Sequence, residues 1–151
     1  MEIRVDDLSG GEIKKLVIEH LEDMSRNSSP ESCHALSVEQ LKSPEVTLWS
    51  AWEKGDLLGC GALKQLTSQY AEVKTMRTVE AHRNKGVGGQ ILKTLVREAR
   101  KRNYKRLYLE TGSGEPWAPA RRLYEKFGFK ECGPFGDYVE DPESYFMTLE
   151  L

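Results

Sequence analysis

The fold of this protein is decided by the stretch RTVEAHRNKGVGGQILKTLV, residues 77–96. A predicted strand ends near Val79, a short polar loop follows, and a helix begins at a run of glycines. That helix carries an apolar stripe at helical spacing over residues 87–99. Glycines allow the backbone to approach a ligand closely, and the free amides of a helix N-terminus bind anions. Because Arg83 and Lys85 add positive charge, the stretch predicts a phosphate-binding turn.

Two common phosphate-binding motifs do not fit this turn. A Walker A loop requires a Gly-Lys dipeptide, which the sequence does not contain. A dinucleotide-binding G-x-G-x-x-G fingerprint fails because Ile91 stands at its third glycine position. The residues that are present read R-x-x-G-x-G, with Arg83, Gly86 and Gly88.

The segments before the turn predict two helices and a hairpin. Apolar residues recur at helical spacing over 13–24, and Ser37 and Gln40 have the spacing of a capping box. The segments 46–53 and 57–66 are separated by a compact turn, which indicates an antiparallel hairpin.

The segment 71–79 predicts a third strand, and its faces follow from simple alternation if no bulge interrupts it. One face then carries Val73, Thr75, Arg77 and Val79, and the other carries Glu72, Lys74, Met76 and Thr78.

The segments after the turn complete a mixed sheet. A strand is predicted at 106–111, an amphipathic helix at 120–127 with Gly128 as its stop signal, and two further strands at 129–132 and 144–151. Strands joined through a helix are typically parallel, whereas hairpins are antiparallel, so both kinds of pairing are expected.

Composition excludes several classes of protein. The chain has 151 residues with 22 basic and 24 acidic side chains, which predicts a single domain over 1–151 and disfavours a nucleic-acid binder. The sequence shows no membrane span and no signal peptide profile, and its three scattered cysteines indicate a reduced, cytoplasmic protein without a metal site. A homodimer is plausible, but no segment of the sequence indicates an interface.

Two motifs together carry a family resemblance. The R-x-x-G-x-G turn lies between two predicted strands, and the later segment ARRLYEKFGF (120–129) reads A-x-x-L-Y-x-x-x-G-F. In this combination the chain resembles the GNAT (GCN5-related) N-acetyltransferases. The resemblance implies an α/β (α+β) fold of three layers: a mixed, mostly antiparallel sheet of six to seven strands flanked by about four helices. It also implies a central parallel pair formed by the strands at 71–79 and 106–111.

The resemblance implies which residues bind acetyl-CoA. The turn would hold the pyrophosphate, and the end of the preceding strand would pair with the pantetheine arm. Many family members carry an asparagine where this chain has Trp117, so Ser113 is a candidate substitute for that contact, while Trp117 either touches the cofactor or only caps its helix. The expected cofactor-binding residues are Met76, Arg77, Thr78, Val79, Arg83, Asn84, Lys85, Gly86, Val87, Gly88, Gly89, Ser113 and Tyr124.

The resemblance also implies catalytic roles. Tyr124 matches the tyrosine that donates a proton to the departing thiolate of CoA, and a phenol is protonated at neutral pH. Glu72 is the first candidate for the general base, with Glu110 as its rival and Glu80 as a weaker one. A backbone amide near Val79 would stabilise the oxyanion.

The acceptor is the least specified part of the reaction. The candidate substrate residues are His34, Arg77, Glu110, Phe135, Asp137 and Tyr138. We expect an acetyl-CoA-dependent N-acetyltransferase whose acceptor, a primary amine of a small metabolite, attacks directly in a ternary complex. The alternatives are a protein N-terminal or lysine acetyltransferase and a non-catalytic CoA-binding sensor.

Overall fold

The computed structural model describes residues 1–151 as one seven-stranded sheet with helices on both faces. The strands stand in the order β1-β2-β3-β4-β5-β7-β6. Their bounds are β1 Glu2–Asp6, β2 Val46–Glu53, β3 Asp56–Gln65, β4 Tyr70–Thr78, β5 Arg106–Gly112, β6 Lys130–Glu131 and β7 Ser144–Glu150. The helices are α1 Gly11–Asn27, α2 Val38–Leu41, α3 Val87–Lys101 and α4 Ala118–Lys126. The predicted fold class, with its parallel β4–β5 pair and four helices, is confirmed.

Local sequence signals place the turns and helix ends correctly. The β2–β3 hairpin closes through Lys54 and Gly55, and both residues have positive φ. A two-residue turn needs this conformation if its twist is to match that of the flanking strands. The predicted capping box of Ser37 and Gln40 is present at the start of α2. Gly128 follows the end of α4 with φ 98°.

Strand β1 is absent from the sequence-based prediction, which begins with a helix. It pairs antiparallel with β2 at the edge of the sheet, from Glu2 opposite Trp52 to Asp6 opposite Leu48. Its residues are mostly exposed, and only Ile3 packs against the core below it. A short polar edge strand carries too few buried side chains for the alternation of apolar residues to reveal it.

The face alternation predicted for β4 in the absence of a bulge does not hold beyond Lys74. The register with β3 shifts between the Cys60–Arg77 and Ala62–Lys74 pairs, so two β4 residues stand opposite one β3 residue. Thr75 within this bulge has φ 54°. The extra residue reverses the alternation, because side chains in a strand change sides at every residue. Met76 therefore packs on the α3 side of the sheet. Arg77 lies on the opposite face, which it shares with Glu72 and Lys74, and it pairs with Asp23 of α1.

Strands β4 and β5 separate soon after they meet. Their parallel pairing covers only Tyr70–Arg106, Ala71–Leu107 and Glu72–Tyr108. Beyond Glu72, β4 has a partner on one side only, and β5 continues its pairing with β7 up to Gly112. A cleft therefore opens between the two parallel strands towards their carboxyl ends, where ligands bind in open sheets of this kind.

Two apolar cores hold the layers together. The larger one packs α3 and α4 against one face of the sheet, and the smaller one packs α1 and α2 against the other. Ile91, Leu92, Leu95 and Ala99 of α3 are completely buried, which confirms the predicted stripe. None of the helices combines the length and the apolar composition that crossing a membrane requires.

Candidate active site

The turn before α3 presents a row of unused backbone donors. Gly86 precedes the helix with φ 78°, a left-handed conformation that glycine adopts without strain, and Asn84 has φ 64°. No side chain caps this helix. None of the backbone N–H groups of residues 84–89 donates a hydrogen bond within the protein. Such a concave row of amides, with exposed Arg83 and Lys85 beside it, is a binding site for a phosphorylated group.

A cleft lies between the separated ends of β4 and β5. Its walls come from β4 (Val73–Met76), from β5 (Glu110–Gly112), from α4 and from the segment after α1. Tyr124 of α4 lines this cleft, and its hydroxyl makes no hydrogen bond to another protein group. Burial raises the pKa of Tyr124 above its ordinary value, so the phenol holds its proton at neutral pH. A protonated hydroxyl without a protein partner is free to donate to a ligand in the cleft.

Trp117 forms part of the cleft wall. A Cβ on Gly112 would overlap the indole ring, so the absence of a side chain at Gly112 lets Trp117 lie flat on the end of β5. Ser113 does not line the cleft. Its hydroxyl donates to the carbonyl of Pro142 at 2.6 Å, and its amide donates to the carbonyl of Glu143 at 3.0 Å. Ser113 thus holds the segment before β7 in place.

The amide of Val79 is also engaged, since it donates to the carbonyl of Leu58 at 2.8 Å. It is therefore not free to stabilise an oxyanion. By contrast, the β4 backbone between Val73 and Thr78 has no strand partner on the cleft side. That free edge is where an extended ligand chain would find hydrogen-bonding partners.

Glu110 and His34 meet at the inner end of the cleft. Nδ1 of His34 lies 3.7 Å from Oε1 of Glu110, and Oε2 of Glu110 accepts a hydrogen bond from Ser144 at 2.9 Å. Burial raises the pKa of Glu110 above its ordinary value, against the opposing effects of the Ser144 hydrogen bond and the neighbouring His34 and Lys74. A carboxylate whose pKa moves towards neutrality is better suited to proton transfer than a solvated one.

A second cavity adjoins the cleft on the α2 side of the sheet and is walled by aromatic rings. Tyr108 stacks on Phe135 with ring centroids 4.7 Å apart, and Tyr70 and Tyr138 extend this wall at its two ends. The predicted substrate residue Asp137 also lines this cavity. We call it the acceptor cavity below.

Glu72 lies in the acceptor cavity and is held there by two donors. Its Oε2 accepts from the hydroxyl of Tyr138 at 2.6 Å and from Nζ of Lys74 at 3.3 Å. Nζ of Lys74 also contacts the carbonyl of His34 and the hydroxyl of Tyr138. Burial, followed by the charge of Glu72, raises the pKa of Tyr138, so this phenol stays protonated and donates to the carboxylate. The side chains of Glu72 and Lys74 are 3% and 10% exposed, which makes them a buried ion pair.

Arg77 lies apart from the other predicted substrate residues. Its guanidinium pairs with Asp23 of α1 at 2.5 Å, and it lines neither the cleft nor the acceptor cavity. The bulge in β4 explains this placement, because it turns Arg77 towards α1. Glu80, the weaker candidate base, lies in the turn after β4 and also lines neither.

His20 of α1 is a buried histidine on the wall of the cleft. Burial, followed by the charge of Arg77, lowers the pKa of His20 from 6.5 to about 4. Its Nδ1 is buried without a hydrogen-bond partner. The side chain is therefore neutral in the folded protein near neutral pH.

This shifted pKa predicts an acid-sensitive stability. Between about pH 6.5 and 4 the unfolded chain binds a proton at His20 and the folded chain does not, so stability falls as the pH falls. At ~1.4 kcal/mol per unit of pKa, the loss reaches about 3 kcal/mol. Urea unfolding of wild type and His20→Gln over this pH range measures it. We expect the free energy of unfolding to depend less steeply on pH in the variant than in wild type. Equal slopes would contradict the lowered pKa of His20.

Sequence reasoning did not single out Lys74, Ser144 or His20 as site residues. Lys74 and Ser144 become parts of the site only through partners distant in sequence, so no local motif marks them. The alternation of β4 offered one signal for Lys74, since it places this residue on the face of Glu72.

Comparisons with known proteins show related sequences and a similar fold. The profile of the acetyltransferase (GNAT) family matches residues 15–129. The uncharacterized N-acetyltransferase YsnE of Bacillus subtilis (strain 168) is 54% identical over 151 residues, covering 100% of both chains. The IAA acetyltransferase of Azospirillum brasilense is 34% identical and covers 92% of this chain and 93% of that protein. The crystal structure of a GNAT family acetyltransferase from Elizabethkingia anophelis with acetyl-CoA bound is similar, with a TM-score of 0.74, 21% identity and coverage of 99% and 97%.

Proposed function

The chain belongs to the GNAT acetyltransferase family and is an N-acetyltransferase, and from this premise we propose that it transfers the acetyl group of acetyl-CoA to a primary amine of a small metabolite. The acceptor attacks directly while both substrates are bound. The observation that carries this proposal is the pair of adjoining cavities, one beside the free amides and Tyr124, the other walled by aromatic rings.

The residues present fit acetyl-CoA. The amides of 84–89 together with Arg83 and Lys85 would hold the pyrophosphate, because they combine unused donors with positive charge. The free edge of β4 at Met76–Thr78 would pair with the pantetheine arm, and Trp117 would cover it. When bound, acetyl-CoA supplies an activated acetyl group and a thiolate as leaving group.

Tyr124 acts as the proton donor to that leaving group. Its hydroxyl is protonated, lines the cleft and has no protein partner. Packing fixes the ring, since the Tyr124 and Phe129 rings meet edge to face at 5.7 Å. This fixed position lets the phenol donate without reorganisation at the moment of reaction.

Of the two candidate base residues, Glu110 supports deprotonation of the acceptor and Glu72 supports binding. Glu110 lines the same cleft as Tyr124, and burial raises its pKa. Glu72 lines only the acceptor cavity, and its Oε2 is already engaged by Nζ of Lys74 and the hydroxyl of Tyr138. Glu72 therefore orders the wall of the acceptor cavity and exchanges no proton.

A small acceptor is favoured over a folded protein because two segments that wall the site are bonded to each other. The amide and hydroxyl of Ser29 donate to the carboxylate of Glu143 at 3.0 and 2.9 Å. The hydroxyl of Ser32 likewise donates to Asp141. These bonds clasp the segment after α1 to the segment before β7, and both segments line the two cavities, which restricts the room for a bulky acceptor.

Two measurements test the proposed function. Titration with acetyl-CoA should quench the fluorescence of Trp117, and Trp117→Phe should lose this signal while calorimetry still reports binding. Release of CoA thiol should then be measured across a panel of small amines, with N-terminal and lysine peptides as the comparison. Turnover with small amines alone supports the proposal, turnover with peptides alone favours the protein acetyltransferase, and binding without turnover favours the sensor.

A further inference from the structure

We propose that His34 accepts the proton that the acceptor's ammonium group must lose, with Glu110 acting through it as a positioning residue. The inference rests on the proposed function, because it concerns the amine that binds in the acceptor cavity. It goes beyond that function in giving proton transfer to a residue outside the family motifs.

The position of His34 is the first argument. Only four residues line both the cleft and the acceptor cavity: Cys33, His34, Ala35 and Lys74. An amine in one cavity and an acetyl group in the other meet where these residues lie. Nζ of Lys74 is already occupied by three partners, and Sγ of Cys33 makes no hydrogen bond that would orient it. His34 is thus the side chain at the junction that can offer a nitrogen lone pair.

The orientation of the ring is the second argument. Nδ1 is buried and points towards Oε1 of Glu110 at 3.7 Å, and no hydrogen bond satisfies it in the protein. Tyr138 packs against the ring edge to face with centroids 5.0 Å apart. Nε2 makes no hydrogen bond to the protein, and the side chain is 34% exposed. Glu110 therefore favours the tautomer with hydrogen on Nδ1, which leaves the lone pair of Nε2 at the junction.

The charges around the ring are compatible with transient protonation. Glu110 on β5 faces Nδ1, and Asp141 on the segment before β7 also feels the charge of His34. On β4, Lys74 is the opposing cation, and the carboxylate of Glu72 pairs with it. Tyr138 presents a neutral ring. With Glu72 and Lys74 paired, Glu110 is the charge that stabilises the imidazolium once it forms.

The proton transfer balances without any further reactant. The N–H bond of the ammonium breaks, its proton goes to Nε2 of His34, and the electron pair remains on the amine nitrogen. That pair forms the C–N bond as the C–S bond breaks, the thiolate takes the proton of Tyr124, and the nitrogen loses its second proton to solvent as it becomes an amide. His34 then releases its proton to water, and Tyr124 is reprotonated from solvent.

The kinetic test compares amines that differ in basicity. At about pH 7, His34→Gln should lower kcat about 10²-fold for amines that arrive as ammonium ions. The loss should shrink below about tenfold for weakly basic amines that arrive neutral, since they skip this step. Affinity for acetyl-CoA should not change. His20→Gln, which removes an imidazole from the same cleft, should show no such dependence on amine basicity. An equal loss for all amines would overturn the proposal.

A spectroscopic test does not depend on turnover. The ¹⁵N shifts of the imidazole nitrogens, assigned with His34→Gln, should show hydrogen on Nδ1 in the neutral ring. Glu110→Ala should abolish this tautomer preference, and Ser144→Ala should weaken it. A wild-type ring with hydrogen on Nε2 would overturn the inference even if acetyl transfer occurs. Absence of transfer to every amine would refute the proposed function, while the tautomer would still decide whether His34 and Glu110 form this pair.

Discussion

Replacement of Tyr124 by phenylalanine is expected to lower kcat by about 10²- to 10³-fold and to leave the affinity for acetyl-CoA unchanged. The substitution removes one hydroxyl that lines the cleft and has no protein partner. It keeps the ring and its contact with Phe129, so the larger core should not change. Because the hydroxyl is needed only as the C–S bond breaks, its loss should appear in kcat and not in cofactor binding.

Tyr104→Phe is the matched control for this prediction. Tyr104 is also a tyrosine of the larger core, it is equally buried, and it lines neither the cleft nor the acceptor cavity. Its loss of a hydroxyl should leave kcat close to the wild-type value. If Tyr124→Phe retained full kcat with the amine that turns over fastest, the proton of the leaving group would have to come from water.

The cofactor side of the site was predictable because it is local in sequence. The turn at 83–89 and the helix with Tyr124 each follow from one continuous segment. Glycine at position 86 is required by the left-handed backbone there, and the amides after it are free because they begin a helix. These backbone conformations and free amides depend on few long-range contacts, so a short sequence motif is enough to predict them.

The acceptor side was predictable only as a set of candidates, because four distant segments build it. His34, Lys74, Glu110 and Tyr138 come together through the sheet and the two clasped segments. The bulge at Thr75 also depends on contacts between distant segments, because the register of β4 against β3 produces it. That one extra residue decides that Arg77 faces Asp23 while Met76 joins the larger core. Periodicity within β4 alone carries no information about it.

Removal of either partner of the buried Glu72–Lys74 pair is expected to destabilise the protein more than any other single change at the site. Glu72→Leu leaves the ammonium of Lys74 buried without a counter-charge, and Lys74→Met leaves the carboxylate of Glu72 in the same state. Each should lower the free energy of unfolding by about 3–5 kcal/mol. The double variant removes both charges and should recover most of the loss, because the desolvation cost of each ion disappears with it.

Urea unfolding of the two single variants and of the double variant measures this coupling. Steady-state kinetics of the double variant then separates the roles of Glu72 and His34. If Glu72 orders the acceptor cavity and His34 accepts the proton, the double variant should raise KM for the amine and keep kcat within about tenfold of wild type. Single variants that each cost less than about 1 kcal/mol would show that the pair is solvated, contrary to its burial. A stable double variant with kcat reduced about 10²-fold and KM unchanged would return the role of proton acceptor to Glu72.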